Sequence, residues 1–127
     1  NNFVKTMLRI NREKGQCKVV NDQFGNPTNA ADLAHHVLKL LDTEEYGIYH
    51  GTGKGVCSWY EFTKKIVEFA GIESEVLPCT TEEYPTPAKR PAYSALDNFM
   101  FRNTVEDEFR EWDKALESFF YNKGEIQ

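Results

Sequence analysis

The sequence has few cysteines, and none stands in a pattern that binds a metal or builds a disulfide scaffold. Only three occur, Cys17, Cys57 and Cys79, and no two of them form a Cys-x-x-Cys pair. An odd number of widely spaced cysteines argues against a disulfide framework and against a cysteine-rich zinc site. We therefore interpret all three as free thiols of a cytoplasmic protein, since free cysteine is commonly buried as a small apolar residue.

Two further absences narrow the range of partners. No apolar run approaches the roughly 20 residues that a membrane helix needs, and no signal peptide is visible. The 20 acidic residues outnumber the 15 basic ones, which gives a formal net charge of -5. An acidic chain lacks the basic surface on which sequence-independent nucleic-acid binding depends. We therefore expect neither a membrane nor a nucleic acid as a partner.

Motifs that carry chemistry are also scarce. Loop 51–55 (GTGKG) follows a strand-like segment and precedes a helical one, as phosphate-binding loops do. Its spacing fails, because Gly55 stands where a Walker A loop needs Ser or Thr and Val56 where a dinucleotide loop needs glycine. The neighbouring His35 and His36 cannot form the i, i+4 pair that binds a metal on a helix. We predict a plain connection at this loop and no metal site.

The periodicity of apolar residues predicts an α/β fold in which helices alternate with a few short strands. Residues 1–127 are expected to form one domain with one modest core. Because the chain enters an amphipathic pattern directly from Asn1, we expect it to be a piece of a longer protein. The expected helices cover 3–14, 30–42, 58–70, 97–102 and 108–121, and the expected strands cover 17–21, 46–50 and 75–80.

Two features indicate an anion site, and each has a plainer alternative. Arg90 lies in the extended loop 81–91, which three prolines stiffen, and a guanidinium can bind phosphate oxygens through two parallel hydrogen bonds. The alternative is a surface ion pair. Asn1 and Asn2 precede the first helix, where free backbone N–H groups attract anions. The alternative there is a simple helix cap by Asn2.

Six segments, taken in chain order, form a recognisable set. They are 1–8 (NNFVKTML), 18–28 (KVVNDQFGNPT), 32–34 (DLA), 47–50 (GIYH), 58–62 (SWYEF) and 84–94 (YPTPAKRPAYS). The combination of DQFG-x-PT with YPTPA-x-RP is the most specific part. Together the segments resemble the dTDP-4-dehydrorhamnose reductases, which belong to the extended short-chain dehydrogenase superfamily. The resemblance implies that this chain is the small C-terminal substrate-binding lobe of such an enzyme.

The resemblance also implies a reaction and a cofactor. These reductases convert dTDP-6-deoxy-L-lyxo-4-hexulose to dTDP-L-rhamnose with NADPH or NADH. The cofactor is held by an N-terminal nucleotide-binding lobe with a Gly-rich loop and a catalytic Tyr-x-x-x-Lys pair, both absent here. Tyr60 and Lys64 fit that spacing, but they stand in the SWYEF segment, and we interpret the match as chance. No catalytic and no cofactor-binding residue is therefore expected in this chain.

The resemblance assigns the ligand contacts residue by residue. Asn2 and the backbone of Phe3 match the segment that holds the diphosphate, and Arg90 matches an arginine that clamps it. Val20 belongs to a strand that lies along the base, and Gln23 is placed to hydrogen-bond thymine. Many relatives carry a second arginine before the DLA helix, where this sequence reads GNP, so a second arginine clamp is in doubt.

The strand at 46–50 is expected to complete the sheet of the missing lobe. Without that lobe its edge is unpaired, and unpaired edges associate with other chains, so self-association is expected. Two other functions remain open. The chain could be a non-catalytic binding or regulatory subunit built on the same lobe. It could also serve a reductase of another sugar nucleotide, for instance in cell-surface or spore-coat polysaccharide synthesis.

The absence of the cofactor loop gives the first prediction. The isolated chain should neither bind NADPH nor reduce the ketone, because the groups that hold and use the cofactor lie outside it. A fluorescence titration with NADPH measures this directly. Saturable binding at micromolar cofactor would contradict the interpretation.

Overall fold

The computed structural model describes residues 2–122, so Asn1 and residues 123–127 lie outside the described part of the chain. Helices alternate with short strands, which confirms the predicted α/β fold. In chain order the elements are α1 (Phe3–Lys14), β1 (Gln16–Val20), β2 (Phe24–Gly25), α2 (Ala30–Leu41), β3 (Cys57–Ser58), α3 (Trp59–Phe69), β4 (Glu75–Cys79), α4 (Phe99–Thr104) and α5 (Trp112–Tyr121).

Local sequence signals account for the ends of the first and third helices. Helix α1 ends at Gly15, whose φ of 64° is the left-handed conformation that glycine adopts without a steric penalty. Helix α3 begins with a capping box, in which the Ser58 hydroxyl accepts from the Glu61 N–H and the Glu61 carboxylate accepts from the Ser58 N–H. These hydrogen bonds fix the start of α3 next to β3.

Two small sheets connect the helices. Strands β1 and β4 pair in parallel from Gln16 opposite Glu75 to Val20 opposite Cys79. Strands β2 and β3 pair antiparallel, with Phe24 opposite Ser58. The β2 strand lies in a segment that its Gly and Pro content predicts to be a loop, so the sequence misses it. It forms because the segment pairs with β3, and because the Phe24 N–H donates to the Ala92 carbonyl and the Phe24 C=O accepts from the Ser94 N–H after the proline loop.

The core lies between α1, α3 and α5. Its buried members come from these helices and from β3, and they are Leu8, Cys57, Phe62, Ile66, Leu116 and Phe120. Removing one large side chain from such a core typically costs about 2–5 kcal/mol. Within residues 2–122, no helix is long and apolar enough to cross a membrane.

A second buried cluster forms around His36 on α2. Its ring stacks on Phe109 with centroids 3.7 Å apart and meets the edge of Phe101 at 5.5 Å. The Nε2 atom accepts from the Glu108 backbone N–H at 2.9 Å, so Nδ1 donates to the Asp32 carbonyl at 2.7 Å. Both ring nitrogens are therefore used inside the fold. Among the described residues there is no cluster of three or more potential metal-binding side chains.

The predicted strand at 46–50 is wrong for this chain. The segment forms no strand, and Tyr46 and Ile48 are 91% and 85% exposed. A strand exists only through hydrogen bonds to a neighbouring strand, and no described segment offers one here. The alternating apolar pattern that predicts a strand therefore stays on the surface.

Two helices start later than their sequence patterns predict, because long-range bonds hold the preceding backbone. The Lys54 N–H donates to the Arg110 carbonyl and the Trp112 N–H donates to the Lys54 carbonyl, both at 2.9 Å, so α5 begins only at Trp112. The Asn98 side chain accepts from the Thr52 N–H at 2.9 Å and donates to the Thr52 carbonyl at 2.7 Å, and α4 follows it.

A charged cluster ties α2 to the segment before α5. The Glu108 carboxylate accepts from the Lys39 ammonium and lies 2.7 Å from Nε2 of His35. These two hydrogen bonds, of which the one from Lys39 has the larger effect, lower the pKa of Glu108 from 4.5 to about 2. A carboxyl whose pKa is lowered by folding stabilises the fold above its unfolded pKa, and the stabilisation is lost as the pH falls through the folded value.

We therefore expect the free energy of unfolding to fall between about pH 4.5 and pH 2, in part through Glu108. Glu108→Gln should lower stability at neutral pH and should give a shallower loss over that window. Urea unfolding at a series of pH values measures both effects. Glu73→Gln removes an exposed carboxyl that has no ion pair within residues 2–122, so it controls for the change in net charge. Equal slopes for wild type and Glu108→Gln would contradict the assignment.

Candidate functional site

A cavity of about 850 Å³ opens where the first turns of α1, α2 and α3 face α5 and the loop after the prolines. Most of its wall is apolar. The members that matter for ligand binding are grouped at the N-terminus of α1, in the β2 segment, at the start of α3 and at the end of the proline loop. They are Asn2, Phe3, Gln23, Phe24, Trp59, Phe62, Arg90 and Trp112.

One side chain, Asn26, holds three loops around this cleft. Its Nδ2 donates to the Gly55 carbonyl at 2.8 Å, and its Oδ1 accepts from the Leu96 N–H at 2.7 Å. The loops pack closely at Gly53, where a Cβ atom would lie 2.4 Å from the Pro27 carbonyl oxygen. Only glycine fits at that point, because no Cβ contacts backbone so closely without a shift of the chain.

Aromatic rings form the apolar wall. Phe3 lies 4.6 Å from Trp59 and 5.7 Å from Phe62, centroid to centroid, and Phe62 meets Trp112 edge-on at 5.8 Å. Rings at these separations and angles attract each other beyond their burial. The wall is therefore stiff before any ligand arrives. Trp59 nevertheless remains 42% exposed.

The structure brings together four of the five residues that the sequence assigns to ligand contacts. Asn2, Phe3, Gln23 and Arg90 all line the cleft. Val20 does not line the cleft, and its contact with the base stays a prediction. It is the last residue of β1, is half-buried, and pairs with Cys79 in the parallel sheet. The chain must still pass through 21–22 before it reaches the cleft at Gln23.

At the N-terminus of α1 the plainer alternative for Asn2 is the observed one. Its Oδ1 accepts from the Lys5 N–H at 2.9 Å, so the side chain caps the helix. Within residues 2–122 the N–H groups of Phe3 and Val4 have no hydrogen-bond partner. Both residues line the cleft. An anion at this helix end would therefore be held by main-chain donors, with the partial positive charge of the helix behind them.

The Gln23 amide is held by a chain of hydrogen bonds. The Thr81 hydroxyl donates to the Asp22 carboxylate at 2.7 Å and accepts from Nε2 of Gln23 at 3.1 Å. The Thr81 N–H also donates to Asp22. The hydrogen bonds from the N–H and the hydroxyl of Thr81 lower the pKa of that carboxyl. Because the hydroxyl proton is committed to Asp22, Thr81 can only accept from the amide. The orientation of Gln23 is thereby fixed, and Oε1 remains available as an acceptor.

Arg90 is exposed and has no ion-pair partner among residues 2–122. Other arginines of the chain behave differently: Arg9 pairs with Glu13, and Arg102 forms two hydrogen bonds with Asp97. The surface ion pair that is the plainer alternative for Arg90 is therefore not found in the described part of the chain. Its donors are available to an anion.

The described lining of the cleft contains few side chains that could transfer a proton. Apart from Arg90, the titratable side chain lining it within residues 2–122 is Cys57. Burial, with a smaller effect from Glu61, raises the pKa of the Cys57 thiol to about 12, so it stays protonated at neutral pH. Tyr60 and Lys64, which match Tyr-x-x-x-Lys, lie beside each other on α3 with the ammonium 5.4 Å from the ring, and neither lines the cleft.

Three of the five backbone amides of loop 51–55 are engaged inside the fold. The Thr52 N–H donates to Asn98, the Gly53 N–H to Thr28 at 3.1 Å, and the Lys54 N–H to a backbone carbonyl. That the loop is a plain connection stays a prediction. Gly53 serves the close packing against Pro27 in the β2–α2 segment.

Comparison with known proteins identifies the family to which this chain is similar. The family described as RmlD substrate binding domain matches residues 1–124. A spore coat polysaccharide biosynthesis protein of Bacillus subtilis (strain 168), SpsK, is 41% identical over 126 residues, which cover 97% of this chain and 43% of that protein. A dTDP-4-dehydrorhamnose reductase of Aggregatibacter actinomycetemcomitans is 38% identical over 130 residues, covering 93% of this chain and 44% of that protein.

Solved structures agree with the sequence comparison. A crystal structure of a dTDP-4-dehydrorhamnose reductase from Clostridium acetobutylicum ATCC 824 has a TM-score of 0.95 at 48% identity and covers 98% of this chain and 44% of that chain. That of a dTDP-4-dehydrorhamnose reductase from Bacillus anthracis str. Ames, in complex with NADP, has a TM-score of 0.92 at 45% identity, covering 96% and 43%. The chain thus spans less than half the length of these relatives, and the resemblance seen in its segments is confirmed.

Proposed function

Since the chain belongs to the RmlD substrate binding domain family, we propose that it binds the dTDP-sugar substrate of a dTDP-4-dehydrorhamnose reductase. The observation that most supports the proposal is Arg90, which has no ion pair among residues 2–122 and lies at the rim of a cleft that also contains a helix N-terminus and an oriented amide. A nucleoside diphosphate sugar presents the matching groups, two phosphates and a base edge.

The proposed contacts divide the ligand between two sides of the cleft. Arg90 and the N–H groups at the start of α1, including that of Phe3, bind the diphosphate, while Asn2 fixes that helix end by capping it. Gln23 offers Oε1 to the N3–H of thymine. Charge-assisted hydrogen bonds from a guanidinium are stronger than neutral ones. The diphosphate therefore supplies most of the polar binding energy, and the base supplies selectivity.

In the proposed reaction this chain binds and orients, and it transfers no proton. The ketone at C4 of dTDP-6-deoxy-L-lyxo-4-hexulose becomes the hydroxyl of dTDP-L-rhamnose when NADPH or NADH supplies a hydride to C4 and a group outside this chain supplies a proton to the oxygen. The cofactor belongs to the nucleotide-binding lobe, because loop 51–55 lacks the spacing of a dinucleotide-binding loop. The NADP in the Bacillus anthracis relative supports that choice of cofactor. By fixing the diphosphate, this chain sets the distance between the sugar and the nicotinamide.

A second candidate is a reductase for a different sugar nucleotide. The 41% identity with a spore coat polysaccharide biosynthesis protein favours it, and none of the contacts described above reaches the sugar. A panel of dTDP-sugars tested on the protein that contains both lobes separates the two functions. A non-catalytic binding subunit would bind the same ligands but would show no turnover with any of them.

We also propose that the nucleotide-binding lobe covers one exposed apolar face. It consists of side chains on α2 and on the segment after it, each at least 44% exposed: Val37, Leu38, Leu41, Tyr46 and Ile48. Water-exposed apolar surface of this extent on one helix and its continuation is typical of an interface. The three free thiols, two of them buried, are consistent with a cytoplasmic protein.

The Arg90 assignment gives a binding prediction. We expect dTDP to bind wild type with a Kd of roughly high micromolar to millimolar, because half of the cleft is missing and the charges are screened by water. Arg90→Ala should weaken binding by about 1.5–3 kcal/mol, and Arg90→Lys should restore only part, since an ammonium lacks the planar fork. Chemical-shift titration measures all three affinities.

The matched control is Lys89→Ala, which removes the same charge from a neighbouring residue that does not line the cleft. It should bind dTDP nearly as wild type does. Thymidine, which has no diphosphate, should respond little to Arg90→Ala and little to added salt. If Arg90→Ala binds dTDP as tightly as wild type, Arg90 is an ordinary surface residue.

The exposed face gives a prediction about association. The chain should self-associate as its concentration rises, because unsatisfied backbone and apolar side chains at 46–50 pair with a second copy. Ile48→Lys should abolish this, whereas Tyr121→Lys, at an exposed apolar residue on α5, should not. Sedimentation equilibrium at several concentrations decides between them. A wild type that stays monomeric throughout would refute the expectation.

A further inference from the structure

One large side chain of the cleft has no part in the ligand contacts proposed so far. Trp59, the first residue of α3, lines the cleft and is 42% exposed. The neighbouring rings, Phe3, Phe62 and Trp112, are each more buried. An indole is costly to leave in water, since full burial of a large apolar side chain is worth about 1.5–3 kcal/mol. Its accessible surface faces a cavity, which raises the question of what covers it.

Trp59 and Gln23, the residue proposed to bind the base, lie at the same end of the β2–β3 pairing. Phe24 lies opposite Ser58 and Gly25 opposite Cys57. Gln23 directly precedes Phe24, and Trp59 directly follows Ser58. Both residues also line the cleft, so the amide and the indole belong to one corner of it.

The indole is also held in position before any ligand binds. Phe3 packs against it at 4.6 Å with the ring planes tilted by 45°. The residue before it, Ser58, is buried, caps α3 and donates from its hydroxyl to Asn21 at 2.6 Å. Trp59 thus combines a fixed backbone, a packed neighbour and an accessible surface. A rigid surface of this kind loses little entropy when a flat group stacks on it.

From this arrangement we propose that Trp59 is the stacking surface for the nucleobase of the bound nucleotide, with the Gln23 amide at the edge of the same base. The inference rests on the proposed function. Thymine suits the corner because its face is flat and its N3–H can donate to Oε1 of Gln23. That atom is available because the Thr81 hydroxyl accepts a hydrogen bond from the Gln23 amide nitrogen and donates its own to Asp22. The base is then read by two groups that are oriented in advance.

The test measures three ligands separately: dTDP, thymidine and inorganic pyrophosphate. Removing an aromatic surface from beneath a base weakens binding by roughly 5- to 100-fold. We expect Trp59→Leu to show that loss for dTDP and thymidine and to bind pyrophosphate as wild type does. Trp59→Phe should retain most of the affinity. Tyr60→Leu is the matched control, because Tyr60 is the next aromatic residue on α3 and does not line the cleft.

A second measurement uses the indole itself as the probe. The chain has two tryptophans, so a Trp112→Phe background leaves Trp59 as the sole reporter. Thymidine and dTDP should quench its fluorescence on binding, and pyrophosphate should not. Retained pyrophosphate binding also shows that each Trp59 variant is folded.

The outcomes separate this inference from the proposed function. If Trp59→Leu binds dTDP and thymidine as wild type does, the stacking assignment is wrong and the proposed function stands. A dTDP-sugar is titrated as a fourth ligand: if Trp59→Leu binds thymidine and dTDP normally but loses affinity for the dTDP-sugar, the ring contacts the sugar, and the assignment to the base is overturned. If wild type binds none of the three ligands, the proposed function fails and the inference falls with it.

Discussion

The two hydrogen bonds of the Asn26 side chain hold the cleft in shape. Three segments that are far apart in sequence meet there, and the Asn26 bonds add to the β2–β3 pairing and to the backbone bonds of Phe24 with Ala92 and Ser94. Donation to the Gly55 carbonyl anchors the loop before α3, and acceptance from the Leu96 N–H anchors the chain that returns from the proline loop. Arg90 and the N-terminus of α1 both line this cleft, so the Asn26 bonds help to fix their relative position. An alanine at this position would leave two backbone groups unpaired while changing the apolar core very little.

The chemistry of the cleft follows from how few charges it contains. A wall of aromatic rings excludes water from one side, which strengthens the electrostatic interactions of a bound diphosphate. The same wall offers no carboxylate, imidazole or amine within the described residues that could move a proton, and the Cys57 thiol stays protonated. A cleft of this composition is suited to hold and orient a ligand. On the proposed function, this cleft supplies the binding groups, and acid–base chemistry belongs to the nucleotide-binding lobe.

The sequence predicts the parts of this structure that depend on neighbours along the chain. The capping box of α3 and the end of α1 at Gly15 are local signals, and the structure confirms them. Contacts between residues far apart in sequence are not predicted in this way. Gln23 is held by a residue 58 positions away, and Asn26 by residues 29 and 70 positions away. No periodicity or motif records such distances, so the importance of Asn26 and of Thr81 was not predicted. Val20 lies only three positions before Gln23, yet it belongs to the β1–β4 sheet and lies outside the cleft lining, which its sequence neighbourhood does not reveal.

The failed strand at 46–50 shows the limit of a pattern that needs a partner. Its alternation of apolar residues is a property of the sequence, but a strand is a property of two segments, and here the second is absent from the described residues. The same reasoning applies to the ligand. On the proposed assignment the base meets groups that the fold has already fixed, the Gln23 amide and the Trp59 ring, so recognition of the base needs only this chain. The diphosphate meets Arg90, an exposed side chain on a loop without helix or strand, whose attraction is screened by water. Closure by a second lobe would remove that water, so it would strengthen the diphosphate contact far more than the base contact.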